Sequence, residues 1–466
     1  MRLSGALLLA RPASSADRTR SLLVATTTGV AGALLVAAAR IARLSLDTDG
    51  SSSGYGLIPR TGSEGLVPYV SQAGLRPGVV LGVLLLTVPV LALAVQALRT
   101  GSVARDRKLS SVRLAGATPG EVRRIAAVEA GGAALLGGLL AGPVYLVLYV
   151  LLGALPSAGH RLLPSPDRVD LLGWLAVVVL TLLGGLVAGG LVARRIVVDP
   201  LGVRRRTRDV PPGRVALAVT LLSAAGLVTG VTVVRLGPAH WWFPMVLVLV
   251  SLLVMVFAGA PAAVAALGRR RARSADAADL LAGLRVAAAP RSNGRVAAVL
   301  LVCGVAFGVQ AVLVGDLLHE HDLGEDASFY LGGHALAAAG VVVALAVAVV
   351  TLVVGMSDAL LEARRPLAAL RALGVQESEL ERSLRAQSST GTVLAVVLGT
   401  LLGAVGITTL IAGDGEWSHE AGRAALPVAA TALVTALLVR LLVHGSARLL
   451  RGALRAATDP ENLRVA

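Results

Sequence analysis

The chain has 466 residues, 55% of them hydrophobic and only 15% charged, and its mean hydropathy is +0.78. That balance excludes an ordinary soluble domain. The net charge of +15 would suit a nucleic-acid partner, but the arginines recur in clusters between apolar runs instead of forming one basic domain, so no nucleic acid is expected. The lone cysteine, Cys303, excludes a disulfide framework and a cysteine-based metal site.

In chain order, residues 1–20 come first. Their apolar stretch, 5–10, is cut off by Arg11-Pro12 and is too short for a signal peptide. An interfacial helix leading into the first span is the better expectation. Ten apolar runs then follow, near 22–43, 78–99, 125–153, 171–193, 214–235, 243–267, 296–315, 333–357, 388–412 and 424–444. Each is long enough to cross a hydrocarbon core of roughly 30 Å, which takes about 20 helical residues.

The basic residues fix an orientation. Segments 1–20, 99–124, 194–214, 268–295, 358–386 and 444–466 hold 34 of the 43 Lys and Arg residues. Basic residues gather on the cytoplasmic side, so both termini are expected there. The opposite loops are small. The largest, 45–77, is rich in Gly and Ser and offers little apolar content for a core, and 316–330 carries five acidic residues and no basic one.

One pattern occurs twice, 258 residues apart. Val112-Arg113-Leu114-Ala115-Gly116 is followed by Glu121, Arg124 and Glu129; Leu370-Arg371-Ala372-Leu373-Gly374 is followed by Glu379, Arg382 and Gln387. In the first copy Gly116 suits a left-handed helix end. Thr118-Pro119-Gly120-Glu121 then reads as a capping box, with a new helix beginning at Pro119 and running into the third span. The product is a rigid helix–turn–helix elbow. In the second copy Gln376 replaces the capping threonine, Pro366 interrupts the approach and Gln387 replaces Glu129, so the two elbows are not expected to be equivalent.

These observations predict an all-α integral membrane protein of about ten transmembrane helices in two parallel four-span repeats. The first repeat takes residues 1–199, a two-span connector 200–270, and the second repeat with a C-terminal cytoplasmic tail 271–466. A parallel duplication disfavours the inverted layout of many secondary transporters, and the spans lack the paired mid-bilayer charges that proton coupling would need.

The two elbows, an arginine-rich approach followed by Leu-Arg-x-x-Gly and a charged helix entering a span, resemble those of the FtsX-like permease family over 40–194 and 296–444. That family comprises membrane subunits of ABC transporters, including lipoprotein-release, macrolide-export and antimicrobial-peptide-resistance systems. The ten-span layout is most similar to the peptide-resistance permeases, which carry a large external domain between spans seven and eight; only about 315–332 stands there in this chain. The resemblance implies a bacterial plasma-membrane protein whose partner is a dimer of nucleotide-binding subunits in a lipid bilayer setting. It implies docking through Arg105, Arg107, Arg113, Gly116, Thr118 and Glu121 in the first elbow and Arg364, Arg365, Arg371, Gly374 and Glu379 in the second. ATP and Mg would be held by the partner and no cofactor by this chain. The implied function is coupling of ATP hydrolysis to export or extraction of an amphipathic lipid, lipopeptide, peptide or drug. The alternative within the family is a non-transporting permease that transmits force to an envelope enzyme or a sensor kinase, a role the small external loops disfavour.

No phosphate-binding Gly-x-x-x-x-Gly-Lys-Ser/Thr stretch occurs, and Lys108 is the one lysine, so the chain is not expected to be an enzyme. No nucleophile–base arrangement is legible. His319-Glu320-His321-Asp322 matches no metal-ligand spacing and reads as a solvated acidic loop. Glu129 and Arg40 lie in apolar runs but near their ends, where snorkelling is expected to satisfy them. Gln310 and His334 are weaker candidates. Pro89, Pro143, Pro261 and Pro427 are expected to kink their spans, and Gly131-Gly132 and Gly137-Gly138 to let the third span pack closely.

Overall fold

A computed structural model describes residues 15–44, 66–71, 76–98, 108–109, 111–154, 161–193, 214–236, 242–319, 327–412 and 417–463. Residues 1–14 of the expected 1–20 interfacial segment, residues 45–65 of the 45–77 loop, Arg105, Arg107 and residues 320–326 of the 316–330 acidic loop lie outside these residues.

The described residues form α1 (Ser15–Arg43), α2 (Pro68–Ser71), α3 (Arg76–Ala97), α4 (Pro119–Gly153), α5 (Asp170–Ala193), α6 (Arg214–Leu236), α7 (Trp242–Arg271), α8 (Ala277–Ala288), α9 (Pro290–His319), α10 (Ala327–Glu362), α11 (Arg364–Ala372), α12 (Glu377–Ser389), α13 (Thr392–Ile411), α14 (Trp417–Leu449) and α15 (Arg451–Ala457), then a 3-10 turn at Pro460–Leu463. No strand forms among them; an isolated bridge joins Leu66 to Arg161. Ten stretches are long and apolar enough to cross a bilayer, and each overlaps one of the ten runs read from hydropathy. This is the helix content of a multi-pass membrane protein. Leucines exposed along α4, α5 and α6 would face lipid in that setting.

The chain divides into two compact units, up to and from residue 205/206. In the first, α1 is the central helix and packs against α3, α4 and α5, while α4 also packs on α5. Small residues allow the close approach: a side chain at Gly137 would run into Thr28 and Ala25 of α1, and one at Gly131 or Gly138 into Leu186 or Thr181 of α5. Gly132, expected to share this role, meets no neighbour.

In the second unit α9 is central and packs against α7, α10, α13 and α14, while α13 also packs on α14. Gly304 and Gly308 of α9 face Gly399 and Thr400 of α13 at backbone contact. The α6/α7 hairpin belongs to this unit, with α7 lying against α8 and α9. A break at Ala289 separates α8 from α9, next to the Pro290-Arg291-Ser292 sequence. The four helices that contain Pro89, Pro143, Pro261 and Pro427 all continue through them.

Two expectations need correction. The 45–77 loop was expected to lack core-forming content, yet its end builds one: Leu66, Val67 and Val70 are buried with Leu163, Tyr145 and the end of α1. The Val67 amide donates to the Arg161 carbonyl at 3.0 Å and the Tyr145 hydroxyl to the Pro164 carbonyl at 2.8 Å. The buried Arg76 guanidinium ties this cap together through the Val70 and Leu44 carbonyls, at 2.7 and 2.5 Å. Three apolar residues suffice because they seat on an existing bundle end instead of folding alone.

Arg40 and Glu129 were expected to snorkel. Both are buried instead. Arg40 and Arg43 converge on Asp170 at 3.3 and 3.1 Å, joining α1 to α5, and Glu129 pairs with Arg20. A charge near a helix end can snorkel only if that end is open, and here neighbouring helices cover it.

Candidate functional site

The two elbows carry the chemistry the sequence singled out. In the first, residues 111–114 form a turn of helix that ends at Gly116, whose φ of 96° lies in the left-handed region. The Ala117 amide donates to the Val112 carbonyl and the Gly116 amide to the Arg113 carbonyl, at 3.3 and 2.9 Å. That pairing is a Schellman ending, and glycine supplies the required backbone without steric cost. Thr118 then caps α4. Its hydroxyl accepts from the Glu121 amide, while the Glu121 carboxylate accepts from the Thr118 amide at 2.9 Å, completing the capping box expected from sequence. Leu109, Val122, Ile125 and Ala126 form a small core under the turn, with Val112 and Ala117 against it. The corner is therefore held by backbone, cap and core together.

In the second elbow, Gly374 has φ of 93°, and the Val375 and Gly374 amides donate to the Leu370 and Arg371 carbonyls at 3.1 and 3.0 Å. The turn is the same, and Gly374 stands 258 residues after Gly116. The capping is not the same. Gln376 makes no side-chain cap bond, and the interruption expected at Pro366 falls just before it, at Ala363, where α10 gives way to α11. The first-turn residues Glu377 and Glu379 compensate in part, because carboxylates are favourable at a helix N-terminus.

The candidate docking residues fall into different roles. Gly116, Thr118 and Glu121 build the first corner, and Gly374 the second. Arg113 is half-buried beside Gly116, and Arg364, Arg365 and Arg371 are exposed on the second elbow. Glu379 pairs with Arg382 at 3.5 Å on its own helix. Of the named set, Arg105 and Arg107 fall outside the described residues.

Sequence reasoning missed the most exposed apolar groups of the elbows. Leu114 and Leu373 are each 82% exposed, beside Gly116 and Gly374 respectively. A leucine so placed at the tip of a polar turn is an unfilled apolar knob, while the arginines around it supply donors for carboxylates. The signal was present as the leucine in each copy of the pattern, but its one-residue shift between copies hid the equivalence.

A second omission concerns the chain end. α15 packs against α10 and α11, and the 3-10 turn against α11. Arg451 and Arg455 reach Glu381 and Glu377 of α12 at 3.1 and 2.9 Å, and Leu454 is buried. The pairing with Glu377 holds the Arg455 guanidinium above its ordinary pKa. Gln310 and His334 are also brought together: the Gln310 amide donates to the His334 carbonyl at 3.1 Å and lies 2.8 Å from its ring Nδ1. No group of three or more potential metal ligands occurs among the described residues. No family model, curated protein or solved structure matches this chain.

Proposed function

We propose that the chain is the permease subunit of an FtsX-like ABC transporter in a bacterial plasma membrane, with both elbows and both termini on the cytoplasmic side. One observation carries the reading: the same left-handed glycine turn recurs 258 residues apart, each time with a leucine 82% exposed at its tip and arginines beside it. Each leucine would fill an apolar recess on one copy of a nucleotide-binding subunit, and the arginines would pair with acidic groups around it. Like neighbours in the two units, with α1 and α9 each central to three equivalent helices, support a parallel duplication.

ATP and Mg would be bound by the partner. Hydrolysis there would move the elbows, and α4 and α12 would carry that motion to the spans. An amphipathic cargo, taken laterally from the bilayer, fits spans with few unpaired charges. Its class rests on the family resemblance.

The test is co-purification of the full chain with a candidate nucleotide-binding subunit from the same source. Charge reversal at Arg113 and Arg371 should abolish the complex or uncouple its ATPase rate from the permease. An intact complex with an unchanged rate would remove the coupling assignment.

A further inference from the structure

The lever behind each elbow differs between the two units. α4 runs unbroken from Pro119 to Gly153. Its counterpart 258 residues on spans 377–411 and is split, with α12 ending at Ser389 and α13 beginning at Thr392. Between them stand Thr390 and Gly391, and Gly391 has φ of 86°. The corresponding residues of α4, Gly132 and Ala133, remain helical.

The break is chemically provided for. A chain interrupted beside a bilayer must re-satisfy its freed carbonyls. The Thr392 hydroxyl does so for two of them, donating to the Ser388 and Ser389 carbonyls at 3.0 and 3.3 Å, while Ser388, Ser389 and Thr390 back-bond to the Leu384 and Ala386 carbonyls at 3.0, 3.1 and 2.6 Å. From α7, Arg271 adds a guanidinium that donates to the Ala386 carbonyl and the Thr390 hydroxyl, both at 2.6 Å. Gly391 admits no side chain readily, because its backbone is left-handed and a Cβ would approach Val264 at 3.1 Å. The break also changes the main packing partner: α12 lies chiefly against α8 and is paired with α15, whereas α13 lies chiefly against α9, and α14 touches both.

We propose that Thr390-Gly391 is a joint about which α12 and the second elbow swing relative to α13, and that Arg271 is the catch holding it in the angle seen here. The first elbow is joined to its span without a joint and moves with it as one body. The two elbows then deliver motion differently: the first directly, the second only so far as the Arg271 catch holds. The inference stands on helix geometry and does not depend on which partner docks.

Matched spin-label pairs test it in the full chain, reconstituted in lipid bilayers, with Cys303→Ser as background. One pair replaces Arg124 and Leu140 on α4 with cysteine; the other replaces Arg382 and Leu398, at the same spacing across the joint. All four positions are exposed. Sixteen helical residues span about 24 Å, within range of dipolar distance measurement. The first pair should give a single narrow distribution, the second a broader one that widens further with Arg271→Ala while the first stays unchanged. Equal widths for both pairs, or no response to Arg271→Ala, would overturn the proposal. Should Arg271→Ala fail to accumulate as folded protein, the comparison of widths without it decides alone.

Discussion

Glu129 on α4 and Arg20 on α1 form an ion pair in which each side chain is only 6% exposed. The pair lies 109 residues apart in sequence and ties the lever behind the first elbow to the central helix of its unit. Val24, Leu98 and Ala130 close round it, and the second carboxylate oxygen of Glu129 has no hydrogen-bond partner among the described residues. In the second unit the equivalent residue is Gln387, and the neighbouring carbonyl of Ala386 is held by Arg271 instead. Arginines from other helices thus hold both levers, Arg20 through the Glu129 side chain in the first and Arg271 through the Ala386 carbonyl and Thr390 hydroxyl in the second.

Arg20→Met is expected to destabilise the chain strongly, because it leaves the Glu129 carboxylate buried and unpaired. Breaking a buried pair on one side typically costs about 3–5 kcal/mol. The double variant Arg20→Met with Glu129→Leu should recover most of that loss. Thermal unfolding in detergent of the two variants and the parent measures both effects; a double variant no better than the single one would show that the pair is not the cause.

Leu114→Ser and Leu373→Ser should weaken docking of the nucleotide-binding subunit without affecting folding. Burying a leucine contributes roughly 1.5–3 kcal/mol, about a tenfold to hundredfold change in affinity for each tip. Because both leucines are exposed in the free chain, melting temperatures should match the parent. Binding isotherms beside melting curves separate the two effects.

The caps give opposite expectations at the two corners. Thr118→Ala removes the side-chain acceptor at the start of α4 and should cost about 1 kcal/mol locally. Gln376→Thr installs an acceptor where none acts and should stabilise the start of α12 by a fraction of that amount. Amide hydrogen exchange in the first turn of each helix reads both, with faster exchange at 120–122 in the first variant and slower exchange at 378–380 in the second.

Ending the chain after Leu450 should loosen the second elbow and leave the first unchanged, since α15 packs against α10, α11 and α14 of the second unit. Arg451→Ala and Arg455→Ala alone should have little effect, as partly exposed pairs contribute about 0–1 kcal/mol. Leu454→Ala removes a buried side chain and should cost about 2–5 kcal/mol. Exchange over 364–389 in the three variants ranks the contributions.

Much of the fold was legible in advance because its determinants are local. A run of twenty apolar residues in lipid satisfies its own backbone as a helix, so hydropathy alone placed all ten candidate spans. The capping box at Thr118 and the turns at Gly116 and Gly374 were equally readable, being set by residues within five positions of one another. The exposed tips were less so. Leucine is ordinary in this composition, and nothing in the pattern distinguishes Leu114, exposed, from Leu109, buried two turns before the corner.

What the sequence determined by itself is the place of the ten long apolar helices and the turn at each of the two corners, because hydropathy, cap and backbone act locally along the chain. The tertiary structure decided which charges are paired, that a few apolar residues of a Gly/Ser-rich loop seal one end of a bundle, that the chain end braces the second elbow, and that one lever is jointed while the other is not. Each of those depends on a partner tens to more than a hundred residues away, such as Arg20 for Glu129 or Arg271 for Ala386. Only the packing of helices against one another brings such partners within bonding distance.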